Sequence, residues 1–414
     1  MTTSAPAGGA RSVIISLATL MIGFGLVGSV LGVRGTEEFS AAVVGLAGSV
    51  HYAGFLAGAF VIPALVSSVG HIRVYSALAS ATSVIVLVFP YALNAPTWVS
   101  IRLLFGLCIS GMYIVAESWL NSASTNETRG RLLAAYLVTV NSAVAAGQLL
   151  LSATGAIGVF PFVLGSAVMS LSVVPLALTR APAPSLPPVT ERPPIREVLR
   201  LAPLGPVTSI ISGIGVGVAI GMGPAYGVAA GMSVDQIAVL VAAGMIGGVL
   251  LQWPVGAVSD RVPRRQVILW IAVLSSVVAL GGLAVSPGSV GTFVTFGLFA
   301  ALSFPLYSLA ISHVNDVIDP ELQVPASAVL VMSYGLGSVI GPVAAGLAFD
   351  WFGPVSFWWL LAASTGLLIP YAVYRLAKRP AIQQRFRFRV VPTNAAPQPT
   401  ILWADEPEEV ENPG

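Results

Sequence analysis

The densest group of charged residues in this chain lies in the stretch GAVSDRVPRRQV, residues 256–267. Only 9% of the 414 residues are charged, yet this stretch holds Asp260, Arg261, Arg264 and Arg265. A carboxylate beside guanidinium groups can form charge-assisted hydrogen bonds, which hold segments of a protein together. We therefore expect Asp260 to be neutralised by the neighbouring arginines or to face the N-terminus of another helix.

Several kinds of chemistry are excluded by residue types that the sequence lacks. The single lysine, Lys378, is followed by Arg379, so the Gly-Lys-Ser/Thr end of a phosphate-binding loop is missing. A single cysteine, Cys108, leaves no intramolecular disulfide and no cysteine-based metal site. No HExxH motif occurs. We therefore expect no enzymatic activity, no cofactor and no bound metal.

Long apolar segments make up most of the chain, which is 56% hydrophobic. About 20 apolar residues cross a bilayer as a helix, and only helices satisfy their backbone in lipid when the alternating pattern of a barrel is absent. The sequence therefore predicts an all-α polytopic membrane protein with twelve spans. Numbered 1 to 12, they cover roughly residues 13–33, 41–66, 74–93, 98–120, 132–153, 158–179, 205–229, 237–258, 267–286, 290–314, 326–349 and 356–376.

Basic residues are distributed unevenly between the two ends of these spans. If the N-terminus is inside the cell, all of the 19 Lys and Arg residues except Arg34 and Arg102 belong to cytoplasmic segments. Cytoplasmic loops of membrane proteins carry such an excess. The sequence therefore predicts a multi-pass protein of the cytoplasmic (inner) membrane with both termini in the cytoplasm.

Composition divides the chain into five regions. The proline-rich segment after span 6 predicts an extended linker, which ends in IREVLRL, a short helix expected on the bilayer surface. The stretch RFRFRV predicts a membrane-surface anchor rather than a nucleic-acid site, and the acidic end predicts disorder. The regions are a cytoplasmic N-terminus (1–12), an N-terminal six-helix bundle (13–179), a cytoplasmic linker (180–204), a C-terminal six-helix bundle (205–376) and a cytoplasmic tail (377–414).

The two halves contain matching residues at a nearly constant distance. Four pairs recur at an offset of 193 or 194 positions: Asn121 and Asn315, Gly147 and Gly341, Ser40 and Ser233, Gly70 and Pro263. Parallel repeats of six spans are a transporter architecture, with the solute site between the repeats near the bilayer midplane. The sequence therefore predicts two pseudo-symmetric six-helix bundles.

Two ionisable residues lie inside spans, where such groups are costly and usually functional. Arg102 in span 4 is therefore expected to be functional, unless its side chain only reaches toward the headgroups. Glu117 lies 15 positions further along, about 22 Å on a helix, so the two cannot pair. Glu117 is predicted to carry a proton or to neutralise an arginine near the cytoplasmic end.

Several segments resemble the signature motifs of the major facilitator superfamily. The stretch from Gly256 is similar to its Gly-x-x-x-Asp-Arg-x-Gly-Arg-Arg motif, whereas the first-half copy keeps only Gly70 and Arg73. Span 4 carries RLLFG, similar to the family's fourth-helix motif, and the resemblance implies that its arginine, Arg102, acts in substrate binding or proton coupling. The run ESWLNSASTNETRGRLLAAY, followed by GQLLL, resembles the YcaD-like branch. Span 11 carries a glycine–proline motif that is expected to bend the helix: Gly337, Gly341, Pro342 and Gly346.

The resemblance implies that the charged motif is part of a gate. Asp260, with Arg261 and Arg264, is expected to latch onto the start of span 5 near residues 129–132 and to hold the cytoplasmic side closed. Gly256 would let the two helices approach closely. The alternative is that the arginines only anchor the loop to anionic headgroups.

The first-half motif lacks its aspartate, because Ser67 stands in that position. We hypothesise that the acidic loop after span 10 replaces it by facing the loop that bears His71 and Arg73. The alternative is ordinary solvated charge. The acidic loop consists of Asp316, Asp319 and Glu321.

The resemblance also implies that spans 1, 4, 7 and 10 surround a central cavity. The candidates for its wall, each of which could instead make a helix–helix hydrogen bond, are Tyr113, Asn141, Gln148, Tyr226, Gln252, Ser303 and Tyr307. We predict a monomeric secondary transporter of a small solute that works by alternating access, with protons as the candidate coupling ion and the lipid bilayer as its surroundings. The alternatives are a substrate-sensing receptor on the same fold and a membrane-embedded enzyme.

Overall fold

The computed structural model describes residues 5–122, 126–179, 195–319 and 322–378. In these ranges the regular elements are all helical, and twelve stretches are long and apolar enough to cross a membrane. The twelve predicted spans are therefore confirmed, with ends that differ from the expected ones by a few residues. Predictions for the linker 180–194 and for the tail beyond residue 378 lie outside the described residues.

Spans 1 to 5 are single helices, whereas span 6 consists of two. The helices of the first half are α1 (Ala5–Glu38), α2 (Ala41–Val69), α3 (His71–Val88), α4 (Ala95–Ser122), α5 (Asn126–Thr154), α6 (Phe160–Leu171) and α7 (Val173–Ala177). A short helix, α8 (Ile195–Leu201), precedes the second half, as predicted. Its Val198 is buried, whereas Ile195 and Leu199 are about half exposed.

In the second half, spans 8, 10 and 12 each consist of two helices. The helices are α9 (Leu204–Ala229), α10 (Val234–Leu250), α11 (Gln252–Ser259), α12 (Arg264–Gly281), α13 (Val290–Ser303), α14 (Pro305–Asn315), α15 (Gln323–Phe352), α16 (Ser356–Gly366) and α17 (Leu368–Lys378). The break in span 10 falls before Pro305, whose ring cannot continue the hydrogen bonds of the preceding helix but suits the first turn of a new one.

Equivalent serines begin equivalent spans in the two halves. The Ser40 hydroxyl accepts a hydrogen bond from the Val43 N–H at the start of span 2. Ser233 does the same with Gln236 at the start of span 8, where the Gln236 side chain completes a capping box. The sequence pair therefore has one structural role in both copies.

Glycines bring equivalent helices together in each half. Gly147 of span 5 lies against the carbonyl group of Ile22 in span 1, so close that an added Cβ would overlap it. Gly341 of span 11 lies in the same way against Ile214 in span 7. Such small-residue contacts let helix backbones pack directly in a membrane. The two bundles are therefore built alike, as the repeat predicted.

In the described residues the halves meet along four pairs of spans. Span 1 packs against span 7, span 2 against spans 7 and 11, and span 5 against span 8. We call the end of the bundle that carries Arg73, Arg261 and Lys378 the basic face and the other end the opposite face. The sequence predicts that the basic face is cytoplasmic.

Candidate functional site

A cavity of about 120 Å³ lies between the two halves. Spans 1, 2, 4 and 5 of the first half and spans 7, 8, 10 and 11 of the second half form its wall. The resemblance implied only half of these spans. Spans 5 and 11 reach the cavity because the glycine contacts bring them close to spans 1 and 7.

The wall of the cavity is mainly apolar and aromatic. Its aromatic side chains are Phe24, Tyr52, Phe55, Trp98, Tyr113, Phe304 and Tyr334. The ring of His51 also lies in the wall, with its centroid 6.1 Å from that of Phe24 in a stacked arrangement. No Asp or Glu is present among the described wall residues. In the described ranges, no group of three or more His, Cys, Asp or Glu side chains could hold a metal ion.

Arg102 carries the fixed charge of this wall. It lies about 10 Å from the start of α4 at Ala95. Its side chain is half-buried and faces the cavity between the halves rather than the headgroups. Its guanidinium group forms no ion pair or hydrogen bond with a described residue. The cavity therefore contains a cation without a protein counter-charge in the described part of the chain.

Two of the seven predicted wall residues, Tyr113 and Gln148, line the cavity. The Tyr113 hydroxyl donates to the Met21 sulfur at 2.7 Å. Gln148 is buried, and its Oε1 has no hydrogen-bond partner.

The other five predicted wall residues lie outside the described lining. Asn141 and Gln252 donate to backbone carbonyl groups of their own spans. The Tyr226 hydroxyl accepts from the indole N–H of Trp358 at 3.0 Å. Ser303 is buried in span 10. Tyr307 contacts the wall residue Tyr334, and their ring centroids are 4.8 Å apart.

Glu117 is buried near the basic face of the first half. Its Oε1 accepts a hydrogen bond of 2.5 Å from the hydroxyl of Tyr136 in span 5. The side chains of Arg129 and Arg131 lie outside the described residues. Neutralisation of Glu117 by an arginine therefore stays a prediction.

At the basic face, Arg264 joins three spans of the second half. It is 3% exposed at the start of span 9. Its Nε lies 2.7 Å from Asp316 Oδ2 at the end of span 10, and its Nη2 lies 3.4 Å from Asp260 Oδ1 at the end of span 8. Arg265 is also buried, whereas Arg261 is exposed. We expected Asp316 either to face the loop that bears His71 and Arg73 or to be solvated, but it is buried in this ion pair with Arg264 instead.

The first-half motif forms a turn without an ion pair. Gly70, with φ +89°, ends span 2 and begins span 3. Arg73 and Asp319 are both exposed, and no ion pair joins them in this conformation. The latch from Asp260 to the start of span 5 involves side chains outside the described residues, so it stays a prediction.

The opposite face has a contact between the halves that the sequence analysis missed. The carboxylate of Asp350, near the end of span 11, accepts hydrogen bonds of 3.1 Å from the backbone N–H groups of Ala41 and Ala42 at the start of span 2. Helix N-termini favour negative charge, because their first N–H groups have no partner within the helix. The sequence signal was available, since a carboxylate at a helix C-terminus is unfavourable unless another element neutralises it.

The glycine–proline motif of span 11 packs this span against two neighbours. Gly337 and Gly341 lie against span 7, whereas Gly346 lies against Ala41 of span 2. Pro342 lies between spans 2 and 7, and α15 continues through it without interruption. The motif therefore makes close helix contacts, and the expected bend stays a prediction.

Comparison with known proteins identifies the family. The family model of the Major Facilitator Superfamily matches residues 205–404. The MFS-type transporter YcaD of Escherichia fergusonii is 30% identical over 313 residues, which cover 72% of this chain and 78% of that protein. The chain belongs to the major facilitator superfamily. The resemblance to the YcaD-like branch is confirmed.

Other members of the superfamily agree over longer ranges. The MFS-type transporter YE1530 of Yersinia enterocolitica is 27% identical over 347 residues, covering 81% of this chain and 86% of that protein. The crystal structure of the nucleoside transporter NupG has a TM-score of 0.73 at 12% identity, covering 89% of this chain and all of that one. An inward-facing bacterial homolog of the human lysosomal transporter Spinster has a TM-score of 0.68 at 16% identity, covering 91% and 96%. The chain is a multi-pass inner-membrane transporter with this fold.

Proposed function

We propose that the chain carries a small solute across the cytoplasmic membrane by alternating access, with the basic face in the cytoplasm. The cavity between two bundles that pack alike is the observation that carries this proposal. Transporters built from parallel repeats bind their solutes between the repeats near the midplane and expose the site by rocking one repeat against the other.

The two faces would close in turn. In the conformation described, Asp350 holds spans 11 and 2 together at the opposite face, whereas Arg73 and Asp319 at the basic face are not paired. We assign this conformation to a state closed toward the outside. In the alternate state, Asp350 would release span 2, so that the opposite face opens.

In this proposal, Glu117 is the residue that takes up a coupled proton. Its carboxyl group is buried against the Tyr136 hydroxyl, about 22 Å along span 4 from Arg102. It could therefore take up a proton near the basic face without contact with the charge in the cavity. Transport measured with and without an imposed pH gradient tests this role.

A reversible cross-link tests alternating access for any solute that the protein carries. Proteoliposomes are loaded with a mixed extract of small metabolites, and release of each compound is followed by mass spectrometry. In a Cys108→Ala background, Ala41→Cys and Asp350→Cys are joined by a short thiol cross-linker across the opposite face. We expect released solutes in the reduced protein, no release in the cross-linked protein and recovery after reduction.

A matched cross-link inside one half is the control. Ser83 and Ser166 belong to the first half, and their hydroxyl oxygens are 2.6 Å apart. Joining cysteines at these positions should leave release unchanged, because the halves remain free to move. Release that continues with the halves joined would contradict alternating access, and no release from the reduced protein would contradict a carrier.

A further inference from the structure

The positive charge of Arg102 needs a counter-charge that the described residues do not supply. Its guanidinium lies in the cavity wall with no ion pair or hydrogen bond to a described residue, and the described wall contains no carboxylate. A charge inside a membrane bundle is costly unless it is paired or serves a solute pathway. The planar fork of a guanidinium group matches both carboxylates and phosphates. One guanidinium balances the single charge of a carboxylate, whereas a phosphate group carries about −1.5 to −2 charges at neutral pH.

Neutral polar groups without partners lie in the same wall. Gln148 Oε1, His51 Nδ1 and Ser29 Oγ have no hydrogen-bond partner, and each of these residues is at least 94% buried. Buried polar groups are normally hydrogen-bonded, so those that are not mark places where a ligand or water completes the site. They can fix the orientation of a bound solute while Arg102 holds its charge.

The remaining wall favours a flat apolar body. Phe24, Tyr52, Phe55 and Trp98 line the cavity, and aromatic side chains pack favourably against other rings. The volume of about 120 Å³ sets the size. A protein cavity of roughly 150 Å³ accommodates a benzene molecule, so the smaller space described here leaves no room for a solute with more than one ring.

We propose that the central cavity binds a small monocarboxylate with a single aromatic ring, with Arg102 holding the carboxylate and the aromatic wall holding the ring. This inference rests on the proposed function, because it names the class of solute that the carrier takes. The guanidinium group of Arg102 favours a negatively charged solute, and the volume of the cavity limits that solute to one ring.

Binding to the purified full-length protein in detergent tests this inference. The probes are benzoate, the neutral benzamide, the cation benzylammonium and the dianion phthalate, measured by calorimetry and by the shift in melting temperature. We expect benzoate to bind most tightly, because benzamide lacks the charge, benzylammonium has the wrong sign and phthalate has a second, unmatched charge. Equal binding of benzoate and benzamide, or no binding of benzoate, would overturn the proposal.

Variants locate the charge contact. Arg102→Gln should weaken benzoate binding about ten-fold or more, since a hydrogen bond to a charged group contributes about 1.5–3 kcal/mol. Arg102→Lys should keep part of the affinity, and Gln148→Leu should weaken binding less. Arg200→Gln, at an exposed arginine of α8, is the matched control. If Arg102→Gln does not fold, the comparison of benzoate with benzamide on the unaltered protein still shows whether the site prefers an anionic ligand.

The two proposals fail in different ways. Benzoate binding that depends on Arg102, without release of any solute from proteoliposomes, would leave the site in place and contradict the carrier. Release of other solutes that stops on cross-linking, without benzoate binding, would contradict only the solute class.

Discussion

Arg264 shows how a single buried charge can organise the ends of several helices. Its guanidinium lies between Asp316 and Asp260, so spans 8, 9 and 10 meet at one cation. A buried cation is tolerated when both its charge and its hydrogen bonds are satisfied. The motif residue therefore stabilises the second half in this conformation, whatever it does in a gate.

Removing the charge of Asp316 should destabilise the protein. We expect Asp316→Asn to lower the free energy of unfolding by about 3 kcal/mol, the low end of the cost of breaking a buried ion pair, since Asp260 remains nearby. The measurement is the melting temperature in detergent. Asp319→Asn, at an exposed aspartate close by, should change it little. Equal melting temperatures for Asp316→Asn and Asp319→Asn would show that the ion pair between Asp316 and Arg264 contributes no stability.

Only part of the cavity wall could be predicted from the sequence. Arg102, Tyr113 and Gln148 line the cavity, whereas Tyr226 and Tyr307 do not. Because the spans are apolar on nearly every side, their sequences lack the polar stripe that reveals which face of a helix points inward. The rotation of each span, and with it the cavity wall, therefore had to come from the structure.

At the level of helices, glycine contacts hold each half together. Gly147 and Gly341 press against backbone carbonyl groups of spans 1 and 7 at equivalent places. The sequence predicted the spans because their length and apolar character are set by the bilayer, and the repeat predicted that the halves match. It did not predict which helices the glycines would join.

An added methyl group at either glycine should disrupt this packing. We expect Gly147→Ala and Gly341→Ala each to lower stability by about 1–3 kcal/mol, as overpacking does elsewhere, and by similar amounts because the contacts are equivalent. Gly281, where a Cβ would meet no atom within 4 Å, provides the control Gly281→Ala. Melting temperatures in detergent distinguish the three variants. If Gly147→Ala and Gly341→Ala were as stable as Gly281→Ala, that result would contradict close backbone packing at residues 147 and 341.

At the level of the whole molecule, Asp350 ties the second half to the first. Asp350→Ala removes both acceptors at the start of span 2. A charge at a helix N-terminus contributes about 0.3–1 kcal/mol, so we expect the population open at the opposite face to rise about two- to five-fold. A carboxylate at a helix C-terminus needs a partner on another element, but the partners of Asp350 lie 308 and 309 positions away in the sequence, where no local pattern points to them.

Distances between spin labels at the opposite face measure this change. Leu93→Cys and Val290→Cys, in a Cys108→Ala background, place labels on exposed residues of different halves. The longer-distance population should grow in Asp350→Ala and remain unchanged in Asp235→Ala, an exposed aspartate of the same half. An unchanged distribution in Asp350→Ala would show that the carboxylate does not hold the face closed.

The contact between spans 2 and 11 has a thermal consequence. Gly45, Gly346, Ala41 and Ser49 supply much of it, so the two helices meet through backbone and very small side chains. When such helices part, their own contact exposes little hydrocarbon to water, and it is the wetting of hydrocarbon that gives a transition a large heat-capacity change. This contact would therefore add little to the temperature dependence of the enthalpy of opening. Curvature in a plot of the logarithm of the open-to-closed ratio against reciprocal temperature would instead measure the wetting of the apolar cavity wall.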